Sequence, residues 1–334
     1  MISVVIPCRN EEKNIAECID AIYASALDDQ LEVLIVDGMS DDDTRKIITD
    51  LQQKYANLIL VENPDKVTPV AFNLGIKHAK GDYVQIVGAR QIISPDYLSK
   101  AKQTLENKPD IWCVGGGVEN VYQNEESRRI GLAMGSSFGV GGGNFRVLKE
   151  SSYVDTVGTP MYPIHVFKKI GLFDETLLRN QDDEYNYRVI EAGGKIFLNT
   201  EILIKYYVRA SLRNLFKQYL QYGYWKVYVN KKHKTVTTIR QLIPFVFVIG
   251  LFLGAILSLF LPLFIWIYLG GIGFYLLLSI FFGFKASNKV VEGFKIALIF
   301  PVLHFSYGWG YLKGIFHFLM LRKEPTQKAS NLSR

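Results

Sequence analysis

The first part of the chain alternates short apolar runs with amphipathic segments. The apolar runs, which are rich in β-branched residues and predict buried strands, are 2–6, 31–36, 58–61 and 83–87. Between them, apolar residues recur at helical spacing, which predicts one helix after residue 12 and two more over 44–55 and 70–80. Strands that alternate with helices in this way predict an α/β fold with a doubly wound, mostly parallel sheet.

Polar residues follow several of the predicted strands. In doubly wound sheets, ligands bind beside the carboxyl ends of the strands, which is where Arg9-Asn10-Glu11, Asp37-Gly38 and Gly88-Ala89-Arg90 fall. No G-x-G-x-x-G follows the first strand, and no G-x-x-x-x-G-K-[ST] is present. The sequence therefore argues against a dinucleotide oxidoreductase and against a P-loop nucleotidase.

The last third of the chain has a different pattern. Residues 242–284 contain essentially no charge, and this length is sufficient for two membrane spans of about 20 residues each. We predict the turn between the two spans near Pro262 or at Gly270-Gly271. A second apolar segment, 294–320, is predicted to be a third membrane segment, with an interfacial or re-entrant helix as the alternative.

Basic residues are concentrated before the apolar region. The formal net charge is only +6 over 334 residues. The basic collar that precedes the apolar region consists of Lys205, Arg209, Arg213, Lys217, Lys226, Lys231, Lys232, Lys234 and Arg240. Such a collar is typical of the cytoplasmic side of a membrane, where it faces anionic lipid. Because no nucleic-acid-binding motif accompanies it, we predict no nucleic acid partner.

The cysteines and the N-terminus indicate a reducing compartment. Cys8, Cys18 and Cys113 have no metal-ligand spacing, and their odd number argues against a disulfide framework. The N-terminal apolar run is too short for a signal peptide and has no basic region before it. We therefore predict a multi-pass protein of the inner, or plasma, membrane. Its predicted parts are a cytoplasmic domain over 1–205, basic and aromatic juxtamembrane helices over 206–241, a membrane region over 242–320 and a tail over 321–334.

Three acids, Asp182, Asp183 and Glu184, lie at a predicted helix start after Asn180. Acids stabilise a first turn because they oppose the positive end of the helix dipole, and asparagine is a good N-cap residue. Taken alone, these residues favour capping over acid–base chemistry.

Motifs throughout the chain resemble those of the family 2 inverting glycosyltransferases of GT-A fold. The early motifs are Ser3-Val4-Val5-Ile6-Pro7-Cys8-Arg9-Asn10-Glu11-Glu12, Ile35-Val36-Asp37-Gly38-Met39-Ser40-Asp41-Asp42, Asn73-Leu74-Gly75 and Gly81-Asp82-Tyr83. Three later motifs resemble a membrane-anchored subgroup typified by the succinoglycan-synthesis glucosyltransferase. They are Phe138-Gly139-Val140-Gly141-Gly142-Gly143-Asn144-Phe145-Arg146, Arg179-Asn180-Gln181-Asp182-Asp183-Glu184 and Gln221-Tyr222-Gly223-Tyr224-Trp225-Lys226.

This resemblance implies a nucleotide diphosphate sugar, usually a UDP-sugar, bound across the first half of the sheet. By motif position, Pro7, Arg9 and Glu11 would line the nucleoside pocket. Asp37 would accept a hydrogen bond from the uracil N–H, and Lys66 would lie near the diphosphate. Taken alone, Asp37 is equally compatible with a turn residue, and Lys66 is more typical of a solvated charge.

The resemblance also implies a catalytic base. The general base of the family is an aspartate six residues before an arginine, which here is Asp182. It would take the proton from an acceptor hydroxyl while that oxygen attacks the anomeric carbon. A single displacement of this kind inverts the anomeric centre. Asp183 would be a supporting acid.

One motif departs from the family pattern. Where relatives carry Asp-x-Asp or Asp-x-His as ligands for a divalent cation, this chain has Gly88-Ala89-Arg90. The Mg²⁺ or Mn²⁺ that the family implies therefore has no assigned ligands. Two explanations are open. Either Arg90 replaces the metal by binding the phosphates with its guanidinium group, or the chain has lost catalysis.

Gln221-Tyr222-Gly223-Tyr224-Trp225 resembles the Q-x-x-R-W motif of membrane polysaccharide synthases, with Tyr224 in place of the arginine. The resemblance implies that Gln221, Tyr224 and Trp225 lie on the acceptor side, with Trp225 as a stacking surface for a sugar. The alternative is an aromatic belt at the level of the lipid headgroups.

We therefore predict an inverting glycosyltransferase of exopolysaccharide or cell-surface glycan synthesis. It would move a sugar, with glucose as the expected donor sugar, from a UDP-sugar to a lipid-linked saccharide. One alternative is a polyprenyl-phosphate glycosyltransferase, whose acceptor is already ionised and needs no base. The other is a catalytically inactive, sugar-nucleotide-binding scaffold of a polysaccharide assembly complex.

Overall fold

The computed structural model describes residues 1–25 and 31–325. The chain forms two compact units. The sheet unit consists of residues 1–121 and 148–207, and the helical unit consists of the rest of the chain. Residues 326–334 of the predicted tail lie outside the described residues.

The segment 122–147 belongs to the helical unit, whereas the sequence analysis placed it in the predicted domain over 1–205. The reason lies in its packing. Arg129 pairs with Glu292, with Nε and Oε2 2.7 Å apart, and a Cβ on Gly139 would lie 3.4 Å from the ring of Phe300. These contacts bind the segment to the C-terminal helices.

The described residues form nine strands and thirteen α-helices. The strands are β1 (Ile2–Cys8), β2 (Leu31–Asp37), β3 (Leu58–Glu62), β4 (Tyr83–Ile86), β5 (Gln91–Ile93), β6 (Ile111–Val121), β7 (Ser152–Val154), β8 (Gly158–Pro163) and β9 (Lys195–Tyr207). The helices are α1 (Ile15–Tyr23), α2 (Thr44–Gln52), α3 (Thr68–His78), α4 (Tyr97–Asn107), α5 (Glu125–Met134), α6 (Ser137–Val140), α7 (Ile164–Ile170), α8 (Gln181–Glu191), α9 (Leu212–His233), α10 (Ile243–Phe260), α11 (Phe264–Ala286), α12 (Val290–Ala297) and α13 (Ile299–Gly314). A 3-10 helix, Ile239–Leu242, precedes α10, and a π-helix, Ile315–Met320, follows α13.

The nine strands belong to one sheet, in the order β3-β2-β1-β4-β8-β6-β9-β5, with β7 paired to β9 beside this path. Strands β1 to β4 pair in parallel, and so do β6 and β9. Strand β8 is antiparallel to β4 and β6, and β5 and β7 are antiparallel to β9. The predicted α/β fold is confirmed, with antiparallel strands added to the parallel half.

The parallel strands are buried on both faces, which explains why they read as continuous apolar runs. Val4 and Val33 have no exposed surface. A Cβ on Gly75 would lie 2.3 Å from the side chain of Val5, so only glycine lets α3 approach β1 this closely. In the register of β1 and β2, Cys8 lies opposite Asp37, and the carboxyl ends of these strands therefore meet at one edge of the sheet. We call the carboxyl ends of β1 to β4, together with the loops that follow them, the carboxyl edge.

In the helical unit, glycines bring α9 and α13 together at backbone distance. A Cβ on Gly310 would lie 2.0 Å from the carbonyl oxygen of Leu220, and one on Gly314 would lie 2.6 Å from that of Tyr224. From the first contact to the second, the position advances by four residues along α13 and by four residues along α9. The two helices therefore run parallel. A Cβ on Gly223 would likewise lie 2.0 Å from a carbonyl oxygen of α13. Any larger side chain at these positions would force the helices apart.

Three helical stretches are long and apolar enough to cross a membrane: Ile239–Phe260, Phe264–Ala286 and Val290–Met320. They differ in burial. Of the most apolar 18 residues of each stretch, 11% are buried in the first, 6% in the second and 39% in the third. The turn between the first two falls at Pro262, one of the two predicted positions, whereas Gly270 lies within α11.

One member of the basic collar is not on the surface. Lys226 has no exposed surface, and its Nζ lies 3.3 Å from the hydroxyl of Thr238. Its neighbours Trp225 and Val227 are buried as well, because α13 covers this part of α9. The prediction that the collar faces lipid is therefore wrong for Lys226.

Candidate active site

The loops after β1 and β2 hold each other in place at the carboxyl edge. The side-chain amide of Asn10 donates to Asp41 at 2.6 Å, and the backbone N–H of Asp41 donates back to Asn10 Oδ1 at 3.1 Å. The backbone N–H of Asn10 also donates to the hydroxyl of Ser40 at 2.9 Å. Asn10 and Met39 have φ of 56° and 55°, a left-handed conformation that single residues adopt where the loop is fixed by its surroundings.

Asp37, the predicted uracil ligand, lies at the end of β2 with no exposed surface. One carboxylate oxygen accepts the hydroxyl hydrogen bond of Ser40 at 2.5 Å, and the other accepts the backbone N–H of Ser40 at 3.1 Å. Nε of Arg45 lies 3.7 Å from the same carboxylate. The carboxylate is thus held by partners that the sequence analysis did not identify. Ser40 belongs to the quoted Ile35–Asp42 motif, but Arg45 lies outside it.

Glu11 and Arg90, both predicted at the donor site, are in direct contact. Nε of Arg90 donates to both carboxylate oxygens of Glu11, at 2.9 and 2.7 Å. The backbone N–H of Glu11 is held by the hydroxyl of Thr44 at 2.7 Å. The structure therefore brings together a cation and an acid that come from the ends of two different strands.

The residues at the usual metal position do not fit a divalent cation. Gly88-Ala89-Arg90 supplies no carboxylate, and the backbone N–H of Gly88 donates to the side chain of Gln91 at 2.7 Å, which closes a tight turn. The adjacent carboxylate, that of Glu11, already binds Arg90. Among residues 1–25 and 31–325, no group of three or more His, Cys, Asp or Glu side chains is placed to hold a metal ion.

The other predicted donor residues lie on the same edge. Pro7 is half-buried in β1, and the side chain of Arg9 covers Gly38, where a Cβ would lie 3.2 Å from Arg9 Cδ. Nε of Arg9 is buried, and within the described chain it has no hydrogen-bond partner. Lys66 is exposed in the loop after β3 and has φ of 61°. The backbone N–H of Asn63, in the same loop, donates to the carbonyl oxygen of Asp37 at 2.8 Å.

The three acids at the start of α8 have different environments. Asp182 is exposed, Asp183 is half-buried and Glu184 has no exposed surface. Asn180, at the N-cap position, has φ of 59° and makes no side-chain cap hydrogen bond, so the capping role that the sequence favours for this residue is not observed.

Glu184 has a structural role. Its two carboxylate oxygens bind Nε and Nη2 of Arg188, each at 3.0 Å. The same guanidinium donates to the carbonyl oxygens of Ile170 and Leu172 at 2.7 and 2.8 Å. A buried charge of this kind is tolerated because it is paired and fully hydrogen-bonded. The pair fixes the turn that follows α7, and Asp182 is the exposed acid of the first turn of α8.

A second contact that fixes this region comes from Asn73, in the Asn73-Leu74-Gly75 motif. Its side-chain amide donates to the carbonyl oxygen of Phe173 at 2.9 Å and to Glu175 at 2.8 Å, and the backbone N–H of Phe173 donates back at 2.9 Å. Asn73 is 3% exposed. It therefore connects α3 to the segment that leads into α8, a positioning role that the sequence analysis did not assign.

Asp182 lies within electrostatic range of a buried tyrosine. Burial raises the pKa of Tyr162 well above its usual range, and the charge of Asp182 adds to this shift. The hydroxyl of Tyr162 donates to Asn186 at 3.1 Å, on the buried face of α8. Tyr162 is therefore un-ionised at neutral pH and is a hydrogen-bond donor to α8.

The predicted acceptor residues Gln221, Tyr224 and Trp225 all lie on α9, in the helical unit. Trp225 has no exposed surface, and its ring packs edge-on against Tyr224 and Tyr228. Its indole N–H and the side-chain nitrogen of Gln221 are buried and have no hydrogen-bond partner in the described part of the chain.

Comparison with known proteins identifies the family. Residues 3–171 match the family model described as Glycosyl transferase family 2. The chain belongs to glycosyl transferase family 2. The predicted enzyme class is confirmed, and the chain is a glycosyltransferase.

Two curated relatives align with this glycosyltransferase over most of their length. One, from Methanococcus voltae, is dolichyl N-acetyl-alpha-D-glucosaminyl phosphate 3-beta-D-2,3-diacetamido-2,3-dideoxy-beta-D-glucuronosyltransferase. It is 34% identical over 230 residues, which cover 66% of this chain and 71% of the relative. The other is the succinoglycan biosynthesis protein ExoA of Rhizobium meliloti (strain 1021), 28% identical over 259 residues, which cover 77% of this chain and 78% of the relative.

The fold is also found among solved structures. GalNAc-T7 with UDP, GalNAc and Mn²⁺ superposes on this glycosyltransferase with a TM-score of 0.52 at 13% identity. The match covers 69% of this chain and 49% of that chain. At this level of identity the likeness concerns the fold alone, and it confirms the predicted GT-A architecture.

Proposed function

We propose that this membrane-associated glycosyltransferase transfers a sugar from a UDP-sugar to a hydroxyl group of a lipid-linked saccharide, with inversion. The observation that carries the proposal is the division of the acids in α8. Glu184 is neutralised by Arg188, whereas Asp182 is exposed in the first turn. The positive end of a helix dipole favours the ionised form of a carboxyl group, and a general base has to be ionised.

In the proposed reaction, Asp182 accepts the proton of the acceptor hydroxyl while the hydroxyl oxygen attacks the anomeric carbon. The bond from that carbon to the diphosphate oxygen breaks, and UDP leaves with the electron pair. An α-linked donor therefore gives a β-linked product. Asp183, which is half-buried next to the base, is proposed as a supporting acid.

On the donor side, the carboxyl edge is proposed to bind UDP through Pro7, Arg9, Glu11 and Asp37. Because Asp37 is fully buried behind Ser40, its contact with the uracil N–H requires the Ser40 loop to move when UDP binds. The buried Nε of Arg9 is a hydrogen-bond donor that lies on the same edge. Lys66 is proposed to lie near the diphosphate.

Arg90 is proposed to stabilise the diphosphate charge in place of a metal ion. A guanidinium group binds phosphate oxygens in a bidentate manner and is always charged. The Glu11 contact holds the Arg90 side chain at the donor edge. We expect transfer to continue in excess chelator and to fall in Arg90→Gln. Complete loss in chelator that is restored by Mn²⁺ would refute this role.

The acceptor assignment is supported by the name of the methanococcal relative, which acts on a sugar phosphate linked to dolichol. In this chain the acceptor side is proposed to include Gln221, Tyr224 and Trp225. The buried indole N–H of Trp225 and the side-chain nitrogen of Gln221 favour hydrogen bonding to acceptor hydroxyls. The stacking role predicted for Trp225 has less support, because its ring is enclosed by aromatic neighbours.

The proposed location is the inner, or plasma, membrane, with the sheet unit in the cytoplasm. Helices α10 and α11 would cross as a hairpin. Helix α13 is proposed to stay on the cytoplasmic side, because it is packed along α9 at backbone distance and α9 carries several basic residues that do not cross a bilayer. This favours the interfacial alternative for the last apolar segment.

Cysteine labelling tests this topology. The three natural cysteines are buried, so a single exposed cysteine can be labelled selectively in intact cells with a membrane-impermeant maleimide. We expect Leu263→Cys, at the exposed hairpin turn, to react from outside. Lys323→Cys should react only after permeabilisation, and its reaction in intact cells would show that α13 crosses the membrane.

The function itself is tested by incubating membranes that contain the full chain with radiolabelled UDP-sugars and lipid extract. Glucose remains the predicted donor sugar. A diacetamido-glucuronosyl donor is included because of the activity named for the methanococcal relative. We expect label in a lipid-linked saccharide in which the new bond survives mild acid. An acid-labile sugar phosphate, formed equally well by Asp182→Asn, would instead indicate a polyprenyl-phosphate glycosyltransferase.

A further inference from the structure

The helical unit contains an open cavity of about 540 Å³ at the end of α13. Its walls come from α9, α13 and the π-helix that follows α13. The lining residues used below are Tyr224, Trp309, Lys313, Phe316, His317 and Lys323. The volume is within the range of sites that bind small ligands.

The π-helix gives the cavity its shape. In this turn the backbone N–H of Leu321 donates to the carbonyl oxygen of Phe316 at 2.9 Å, a wider hydrogen-bond spacing than that of an α-helix. Turns of this kind are rare and occur frequently at functional sites. Here the turn directs Phe318 into the core, where it has no exposed surface, while Phe316 and His317 line the cavity.

A polar contact joins two of the cavity walls. The Tyr224 hydroxyl and Nδ1 of His317 are hydrogen-bonded. If the tyrosine is the donor in this bond, the proton of the neutral imidazole is on Nε2, which is then a donor itself. Nε2 is buried and has no hydrogen-bond partner in the described residues. The hydrogen bond fixes the His317 ring between two of the cavity walls.

The cavity also has two cations on its lining, Lys313 and Lys323. Both side chains are exposed, and neither forms an ion pair with a carboxylate within 1–25 or 31–325. Lys231, on the adjacent helix, differs because it pairs with Glu324 at 3.0 Å. Two ammonium groups without carboxylate partners fit an anionic ligand that carries more than one negative oxygen.

The rest of the lining is apolar and open. Phe316 is 54% exposed and Leu321 is 47% exposed, and Trp309 forms an aromatic wall, with Nζ of Lys313 5.9 Å from its ring centre. A free anion would contact the ammonium groups and leave these apolar walls without a ligand. A ligand that has a phosphate at one end and a hydrocarbon chain at the other would cover both kinds of surface.

We infer that this cavity binds the phosphate end of a polyprenyl phosphate lipid, with Lys313 and Lys323 on the phosphate oxygens and Trp309 and Phe316 on the first isoprene units. The inference rests on the proposed lipid-linked acceptor. It assigns a site for the lipid part of that acceptor, distinct from the sugar that reacts. Tyr224, whose place in the motif is usually taken by arginine, would position His317 at this site.

Equilibrium binding tests the inference without any turnover. The full chain is purified in detergent, and tritium-labelled polyprenyl monophosphate is added in the absence of sugar nucleotide. We expect Lys313→Gln combined with Lys323→Gln to weaken binding by tenfold or more, because hydrogen bonds between charged groups are the strong ones. The matched control is Lys285→Gln combined with Lys289→Gln, which removes the same charge outside the cavity and should bind like the wild type.

Competition with unlabelled compounds separates the possible ligands. Polyprenol, which lacks the phosphate, and inorganic phosphate, which lacks the chain, should each displace the label at least tenfold less well than polyprenyl phosphate. Wild-type affinity in the cavity double variant, equal loss in the control variant, or equal displacement by either partial compound would overturn the inference.

The same variants separate this inference from the proposed function. If the wild type binds the lipid through these lysines and transfers no sugar, the proposed function fails and the cavity assignment stands. If the chain transfers sugar, and the cavity double variant binds and transfers like the wild type, only the cavity assignment fails.

Discussion

The sheet unit and the helical unit are held together by different kinds of contact. At the carboxyl edge, the loops are held by hydrogen bonds such as those between Asn10 and Asp41. In the helical unit, α9 and α13 are held by glycine contacts at backbone distance. We therefore expect substitution of the exposed Asp182 to change the rate, and substitutions that break a buried ion pair or a close helix contact to change stability.

The largest expected effect is on the rate in Asp182→Asn. Loss of the general base should reduce transfer by about 10²–10⁴-fold, while UDP binding and the thermal midpoint remain close to those of the wild type, because Asp182 is exposed. Initial rates with labelled donor, together with UDP binding by calorimetry, measure this difference. Asp183→Asn is the matched control and should lose much less activity.

Glu184→Gln tests whether Glu184 and Asp182, which lie on the same helix, have different roles. The substitution leaves the Arg188 guanidinium without its buried carboxylate, and breaking such a pair costs about 3–5 kcal/mol. We expect a lower thermal midpoint of the full chain and loss of activity in proportion to unfolding. A stable Glu184→Gln protein with a specific loss of rate would show that the two acids share the catalytic role.

Gly310→Ala tests the helical unit. Its added Cβ would lie 2.0 Å from the carbonyl oxygen of Leu220, and such overpacking costs about 1–3 kcal/mol. Gly270→Ala is the control, because no atom lies within 4 Å of the corresponding Cβ. The thermal midpoint should fall in the first variant and not in the second. Equal midpoints would show that α13 is not bound closely to α9.

The smallest effect is expected from Trp225→Phe. Phenylalanine keeps an aromatic ring in the core of the helical unit and removes the buried indole N–H, which has no partner in the described part of the chain. If that donor binds the acceptor, the apparent KM for the lipid acceptor should rise several-fold, with UDP binding unchanged. A rise of this size corresponds to the loss of about one hydrogen bond. An unchanged KM would assign Trp225 to packing alone.

The sequence predicts strands β1 to β4 of the sheet unit well, for a physical reason. Buried parallel strands are continuous apolar runs, and the register of β1 and β2 brings the polar residues that follow them to one edge. The motif containing Asp37 is therefore located correctly. The partners of these residues depend on tertiary contacts, and for this reason the Arg90–Glu11 pair and the role of Asn73 were not predicted.

The helical unit is harder to predict because hydropathy does not report what covers an apolar surface. The segment 294–320 is apolar enough to span a membrane, but its glycines place it against α9. Lys226 looks like a surface cation in the sequence and is buried. The acids of α8 are a further example, because the sequence does not show which of them is paired. Only the structure distinguishes the paired Glu184 from the exposed Asp182.

The most direct test of the central claim is the anomeric configuration of the product. In a single displacement assisted by Asp182, an α-linked UDP-sugar has to give a β-linked saccharide. Proton NMR of the saccharide released from the lipid product measures the anomeric coupling constant. A β-linkage is the predicted result, and an α-linkage would contradict the single displacement on which the assignment of Asp182 depends.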